Sequence, residues 1–207
     1  MNDLLQPPQG WALPEGERLP VPPPQHRGLF FRAVSWLSRW FGRKELPNIF
    51  PVMHINRRLF WPWLWFASRL MPFGRLSPTL RERVILRVAW NCRSRYEWAQ
   101  HVAMAQQVGV PLEAIYRVTR PVSEQPTAYE AALFSACDSL CAKVPISSEA
   151  WALLAQHHSQ AELMELLTLV GHYEMVAGIL INAAVPMEES MEQNLRLFEE
   201  RLRGMLE

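Results

Sequence analysis

Residues 94–101 read SRYEWAQH, and two functions share that spacing. Glu97 and His101 stand four apart, so a helix places a carboxyl group and an imidazole on one face. Burial raises a carboxyl pKa and a neighbouring imidazolium lowers it, and such opposed pulls leave one group as acid and another as base near neutral pH. Ser94 and Glu97 stand three apart. That is also the spacing of a capping box, in which the two side chains satisfy backbone N–H groups at a helix start. Glu82 is the other carboxyl of interest. At 100° per residue it falls in the apolar sector of its own segment, with Ile85, Leu86 and Ala89, while Arg83 and Arg87 point elsewhere.

Two helices must position these groups. Ser77-Pro78 is a strong start, with Ser as N-cap and Pro at the first helical position, and the helix should run to about Asn91. The next should start near Ser94 and stop before Gly109. On it, His101 shares a sector with Ser94, Glu97, Trp98, Met104, Ala105 and Val108, while Gln100, Gln106 and Gln107 lie opposite. A short link makes the pair antiparallel, which brings Glu82 towards Glu97 and His101.

The rest of the chain is read as helical too. Helices are expected at Arg57–Leu70, Leu112–Val118, Thr127–Ala142, from the Ser147-Ser148 cap, at Ala161–Ala184 and at Glu188–Leu206. No alternating strand pattern is present, so the fold class is all-α. Residues 28–42, GLFFRAVSWLSRWFG, read as a helix with Phe30, Val34, Leu37 and Phe41 on one stripe. It packs on the domain or another subunit, or lies on a membrane surface. Residues 1–27 hold Pro7, Pro8, Pro14, Pro20, Pro22, Pro23 and Pro24. They read as an extended arm, partly disordered or laid on a neighbour. The chain thus divides into an arm, 1–27, and one domain, 28–207.

Bulk composition narrows the function. A formal net charge of +1 over 207 residues gives no global field for nucleic acid. Three cysteines exclude a disulfide framework and fit a reducing, cytoplasmic setting; Cys137 and Cys141 suit two buried small residues, and Cys92 reads as a lone thiol. The apolar run LFWPWLWFASRLM is too short and too interrupted to span a bilayer, so no membrane partner is expected. His157, His158 and Glu162 lack metal-ligand spacing, so no metal is expected. His172 and Glu174 lie in a long apolar helix, where a hydrogen-bonded core histidine is the plainer reading. No Gly-rich phosphate loop or nucleophile elbow occurs.

The stretch LSPTLRERVILRVAWNCRSRYEWAQHVAMAQQVGVPLEAI, Leu76–Ile115, resembles the core of the carboxymuconolactone decarboxylase and alkylhydroperoxidase D superfamily. The likeness extends more weakly to NIFPVMHINRRLF and GHYEMVAGILINAAVP. It implies an alkylhydroperoxidase D-like helical bundle, assembled as a trimer or hexamer with sites near subunit contacts. The peroxidase branch carries Cys-x-x-Cys where this chain has Ser94 and Glu97, so both redox thiols are absent. The Tyr-Glu-Trp-x-x-His form resembles the decarboxylase-like branch, whose members decarboxylate a small lactone acid without metal or organic cofactor. By that resemblance Glu82 and His101 would exchange protons and Glu97 would orient the His. Ser94, Tyr96, Trp98 and His172 complete the substrate-binding candidates, and Arg83, Arg87, Arg93 or Arg95 would grip a carboxylate. The expected function is a cofactor-free acid/base lyase on a small organic acid or lactone. The alternatives are a peroxidase-related member without its Cys pair and a non-catalytic oligomeric binding protein.

Overall fold

A computed structural model describes residues 5–16, 18–23, 31 and 46–206. The helix expected over 28–42 lies outside these, apart from Phe31. The described residues form nine α-helices, one short 3-10 turn and no strand, so the chain is all-α. In chain order they are α1 (Ile49–Met53), α2 (Arg57–Leu70), α3 (Pro78–Asn91), α4 (Arg95–Gln107), α5 (Leu112–Arg117), α6 (Ala128–Cys141), α7 (Ser148–His157), α8 (Gln160–Asn182) and α9 (Glu189–Leu206).

The core is organised around α3, which packs on α4, α6 and α8. Its start follows from local chemistry: Ser77 Oγ accepts from Leu80 N at 3.3 Å, and Pro78 takes the first position, where its missing N–H costs nothing. Val84, Ile85, Leu86, Val88 and Ala89 are buried on several sides of the helix. So continuous a buried surface is the mark of a central helix rather than an amphipathic one. The chain reverses in three residues, Cys92 to Ser94, with Arg93 at φ 57°. The turn is sealed by Cys92 N→Val88 O (2.8 Å) and Ser94 N→Ala89 O (2.8 Å).

Two long-range polar contacts fix the frame. Arg87 forks onto Asp138 of α6 at 2.7 and 2.6 Å and also donates to the carbonyls of Val118 and Arg120. Glu165 of α8 accepts from Arg75 N and Leu76 N, holding the turn between α2 and α3. There, a Cβ on Gly74 would fall 2.4 Å from the Glu165 carboxylate and 2.5 Å from Leu70 O, so only glycine fits. By length and composition α8 is long and apolar enough to cross a membrane, and its buried positions pack within the bundle.

The described part of the arm lies on its own bundle. Trp11 stands edge-on to Trp90 at 5.7 Å and tilted at 6.1 Å from Trp98. Ala12 N donates to Arg93 O, and Leu19 N to Ala183 O. The expectation of a disordered or neighbour-bound arm is corrected for these residues. Trp11 and Leu5 bury apolar surface that the α3–α4 end would otherwise expose.

Candidate active site

The two helices bring their acid and base together. His101 Nδ1 lies 2.7 Å from Glu82 Oε2, with Glu82 fully buried and His101 nearly so. The other Glu82 oxygen faces Arg81, whose Nε is 3.7 Å away and which is itself buried. Glu82 therefore sits between a guanidinium and an imidazole. With Nδ1 held by Glu82, Nε2 is the ring nitrogen left to act on a ligand.

His101 lines a pocket of about 300 Å³ between α1, α2, α4 and α8. Ile49, Phe50, Trp63, Leu64, Met104 and Val176 make its walls mostly apolar. Tyr96, Glu97, Gln100, His172 and Tyr173 supply the polar edge. No Lys or Arg is among the described residues that line it. His172 stacks on Trp63 at 6.3 Å and meets Tyr173 edge-on at 5.2 Å; burial lowers its pKa to about 4, so it is neutral at neutral pH. Burial, then the charges of Glu82 and Glu97, push the Tyr173 hydroxyl well up.

Glu97 settles the ambiguity of the SRYEWAQH stretch. Its carboxyl does not fold back to cap α4, and Ser94 Oγ makes no capping bond. Both Glu97 oxygens are buried without a protein partner, and burial drives the carboxyl pKa well above its ordinary range. Burial therefore favours the protonated form of Glu97 over the ionised one. The group that orients His101 is Glu82, which corrects the role expected for Glu97.

The remaining predicted residues divide between the pocket and other places. Tyr96 and His172 reach the pocket. Ser94 instead borders a separate cleft beside the arm, and Trp98 is wholly buried between Trp11 and Trp90. The four arginines expected to grip substrate are engaged elsewhere: Arg83 with Glu130, Arg87 with Asp138, Arg93 with Gln9 O and Arg95 with Glu192. His158 pairs with the Tyr129 hydroxyl at 2.8 Å, while Glu162 caps α8. Cys92 is not a lone thiol, since Cys141 and Glu174 lie beside it.

Three features escaped sequence reasoning. Glu188 is a buried carboxylate that accepts from Tyr96 (2.6 Å), Gln100 (2.6 Å) and Asn48 N (2.5 Å), tying α4 to the turn before α9. It lies 88 and 92 residues from those two side chains, beyond the reach of any periodicity argument. Gln100, on the helix side opposite His101 by spacing, is nonetheless buried, because the α8–α9 connection covers it. Arg81 gave one usable signal, a charge beside Glu82 at the start of a segment that continues as the apolar run Val84–Leu86.

The described residues share the helical fold of alkylhydroperoxidase D-like proteins. Residues 57–136 match the model of the carboxymuconolactone decarboxylase family. The debrominase Bmp8 in complex with 2,3,4-tribromopyrrole aligns with a TM-score of 0.73 at 11% identity, covering 89% of this chain and 98% of that one. An uncharacterized peroxidase-related protein from Silicibacter sp. TM1040 aligns at 0.71 and 14% identity, covering 92% and 97%. An alkylhydroperoxidase AhpD core, a peroxidase-related protein from Ralstonia eutropha JMP134, aligns at 0.72 and 14%, covering 84% and 93%. At these identities the likeness is one of fold. No curated protein matches the chain.

Proposed function

We propose that the protein is an enzyme that moves protons on a small, mostly apolar ring compound, a lactone or conjugated acid, using Glu82, His101 and Glu97 without a metal or organic cofactor in the pocket. One observation carries the reading: a buried Glu82–His101 pair beneath a ligand-sized pocket whose wall residues keep unpartnered polar atoms. Trp63 Nε1, both Glu97 oxygens and His172 Nδ1 have no protein partner among the described residues. Buried polar groups are seldom left unsatisfied, and a carbonyl-bearing ligand would satisfy several at once. The tribromopyrrole held by the debrominase is also a small planar ring, which fits the scale of this pocket.

The chemistry follows from the protonation states. His101, oriented by Glu82, presents Nε2 as base to an acidic C–H next to a carbonyl. The electron pair of that bond passes into the conjugated carbonyl, and neutral Glu97 donates a hydrogen bond there. In a decarboxylation the bond to the carboxylate breaks instead, CO2 leaves, and the carbon takes its proton from the imidazolium or from Glu97. The described lining holds no Lys or Arg, so from these residues a poly-anion would be poorly held. A neutral lactone or monoacid suits the pocket better, and small-molecule ligand, cytoplasmic location and homo-oligomeric assembly complete the proposal.

The test is proton exchange in deuterated water, followed by NMR over a panel of small lactones and conjugated acids. Wild-type protein should catalyse exchange or CO2 release on at least one. His101→Ala should lose about 100-fold or more in rate. Glu82→Gln should lower kcat more than it changes KM, because it acts through His101. If panel compounds quench Trp63 fluorescence but no exchange exceeds that of His101→Ala, the pocket only binds. The peroxidase-related alternative predicts hydroperoxide turnover with a dithiol donor; background rates are expected, because positions 94 and 97 lack thiols.

A further inference from the structure

We propose that Cys92, Cys141 and Glu174 form a binding site for one thiophilic divalent cation of the zinc type, separate from the pocket. The three residues come from three helices: Cys92 ends α3, Cys141 is the last residue of α6, and Glu174 lies within α8. Their sulfur and carboxylate atoms all lie within 4.8 Å of one another. Around a tetrahedral zinc with bonds of about 2.0–2.3 Å, ligand atoms stand roughly 3.5–4 Å apart, so small side-chain rotations close the site.

The donor set selects the ion. Two thiolates and one carboxylate suit zinc or cobalt, whereas calcium and magnesium require all-oxygen shells. A disulfide between the cysteines would not need a third ligand at equal spacing, and would leave that carboxylate without a cation from the site. All three residues are half-buried, so water can reach the fourth position.

The surroundings also fit. Lys143, two residues after Cys141, pairs its ammonium with a Glu174 oxygen. With the ion bound through the other oxygen, that ammonium offsets the third negative charge. Asn91 next to Cys92 is held by Asp138 at 2.7 Å, the same carboxylate that anchors Arg87. The cluster is therefore built on the buried frame of α3 and α6, not on a loose surface loop. A bound ion would clamp the ends of α3 and α6 to α8, the helices that carry Glu82 and His172. None of these ligands is among the residues assigned to proton transfer.

The experiment titrates cobalt(II) into reduced, chelator-treated full-length protein. One equivalent should produce near-ultraviolet thiolate-to-cobalt charge-transfer absorption, and the thermal midpoint should rise as ion binds the native state. Cys92→Ser and Cys141→Ser should each lose much of the band, and Cys137→Ser should keep it. Glu174→Gln, a half-exposed substitution that leaves both sulfurs in place, should keep the band but weaken affinity by about tenfold or more. Circular dichroism establishes that each variant is folded. The proposal is overturned if reduced wild-type protein gives no thiolate band, or if the band survives unchanged in folded Cys141→Ser. Thiols that join as a disulfide, with cobalt refused again after reduction, overturn it as well.

Discussion

Two Ser-x-x-Glu sequences with the same spacing end in opposite states. At Ser159 and Glu162 the capping box closes: Glu162 N donates to Ser159 Oγ at 3.3 Å and Ser159 N to Glu162 Oε2 at 2.8 Å. Ser159 Oγ also donates to Glu162 Oε2 at 2.7 Å, and this bond, then the one from Ser159 N, holds the Glu162 carboxyl below its ordinary range. At Ser94 and Glu97 no box forms, and burial raises the carboxyl instead. The cause is the preceding helix. Ser94 N already donates to Ala89 O in the three-residue turn, so the backbone donor that Glu97 would need is spent. A local motif forms only where its partners are not claimed by tertiary structure, and the carboxyl left over becomes available for chemistry.

The contrast can be broken by substitution. The largest effect is expected for Glu97→Met, which removes an unpartnered buried carboxyl. It should stabilise the protein by about 1–3 kcal/mol in urea unfolding at neutral pH while abolishing proton exchange. Because the folded pKa of Glu97 lies above its unfolded value, its contribution is most favourable below the ordinary carboxylate range and falls as pH rises. The gain from Glu97→Met should therefore shrink towards pH about 4. A gain that does not vary with pH would mean that Glu97 titrates normally.

A smaller loss is expected at the closed box. Ser159→Ala should cost about 1 kcal/mol, read from the same urea midpoints. The lowered Glu162 pKa contributes stability that is present above the ordinary carboxylate range and lost as pH falls through the folded value, so this cost should fade in acid. The smallest effect belongs to Ser94→Ala. Its hydroxyl is buried without a partner and caps nothing, so stability should shift by no more than about 0.5 kcal/mol. A Ser94→Ala loss equal to that of Ser159→Ala would show that the first box forms in solution.

Much of the fold was legible because helix signals are local. Ser77-Pro78, Ser147 and Pro186 marked boundaries that hold in the structure, and the acid–base pair was readable from the inward faces of α3 and α4. What escaped was long-range. Glu188 reaches Tyr96 and Gln100 across most of the domain. Cys141 and Glu174 meet Cys92 only because α6 and α8 pack on α3. The arginines looked free because an ion partner 47 or 97 residues away leaves no periodic trace.

The order of residues by itself determined an all-α chain, its helix starts, and the face that carries Glu82, Glu97 and His101, because caps and apolar spacing act within a few residues. Tertiary packing decided which carboxyl holds the imidazole, which is left buried without a partner among the described residues, and where the pocket opens. Those outcomes depend on desolvation and on competition for donors, and both are set by whichever helix happens to lie alongside.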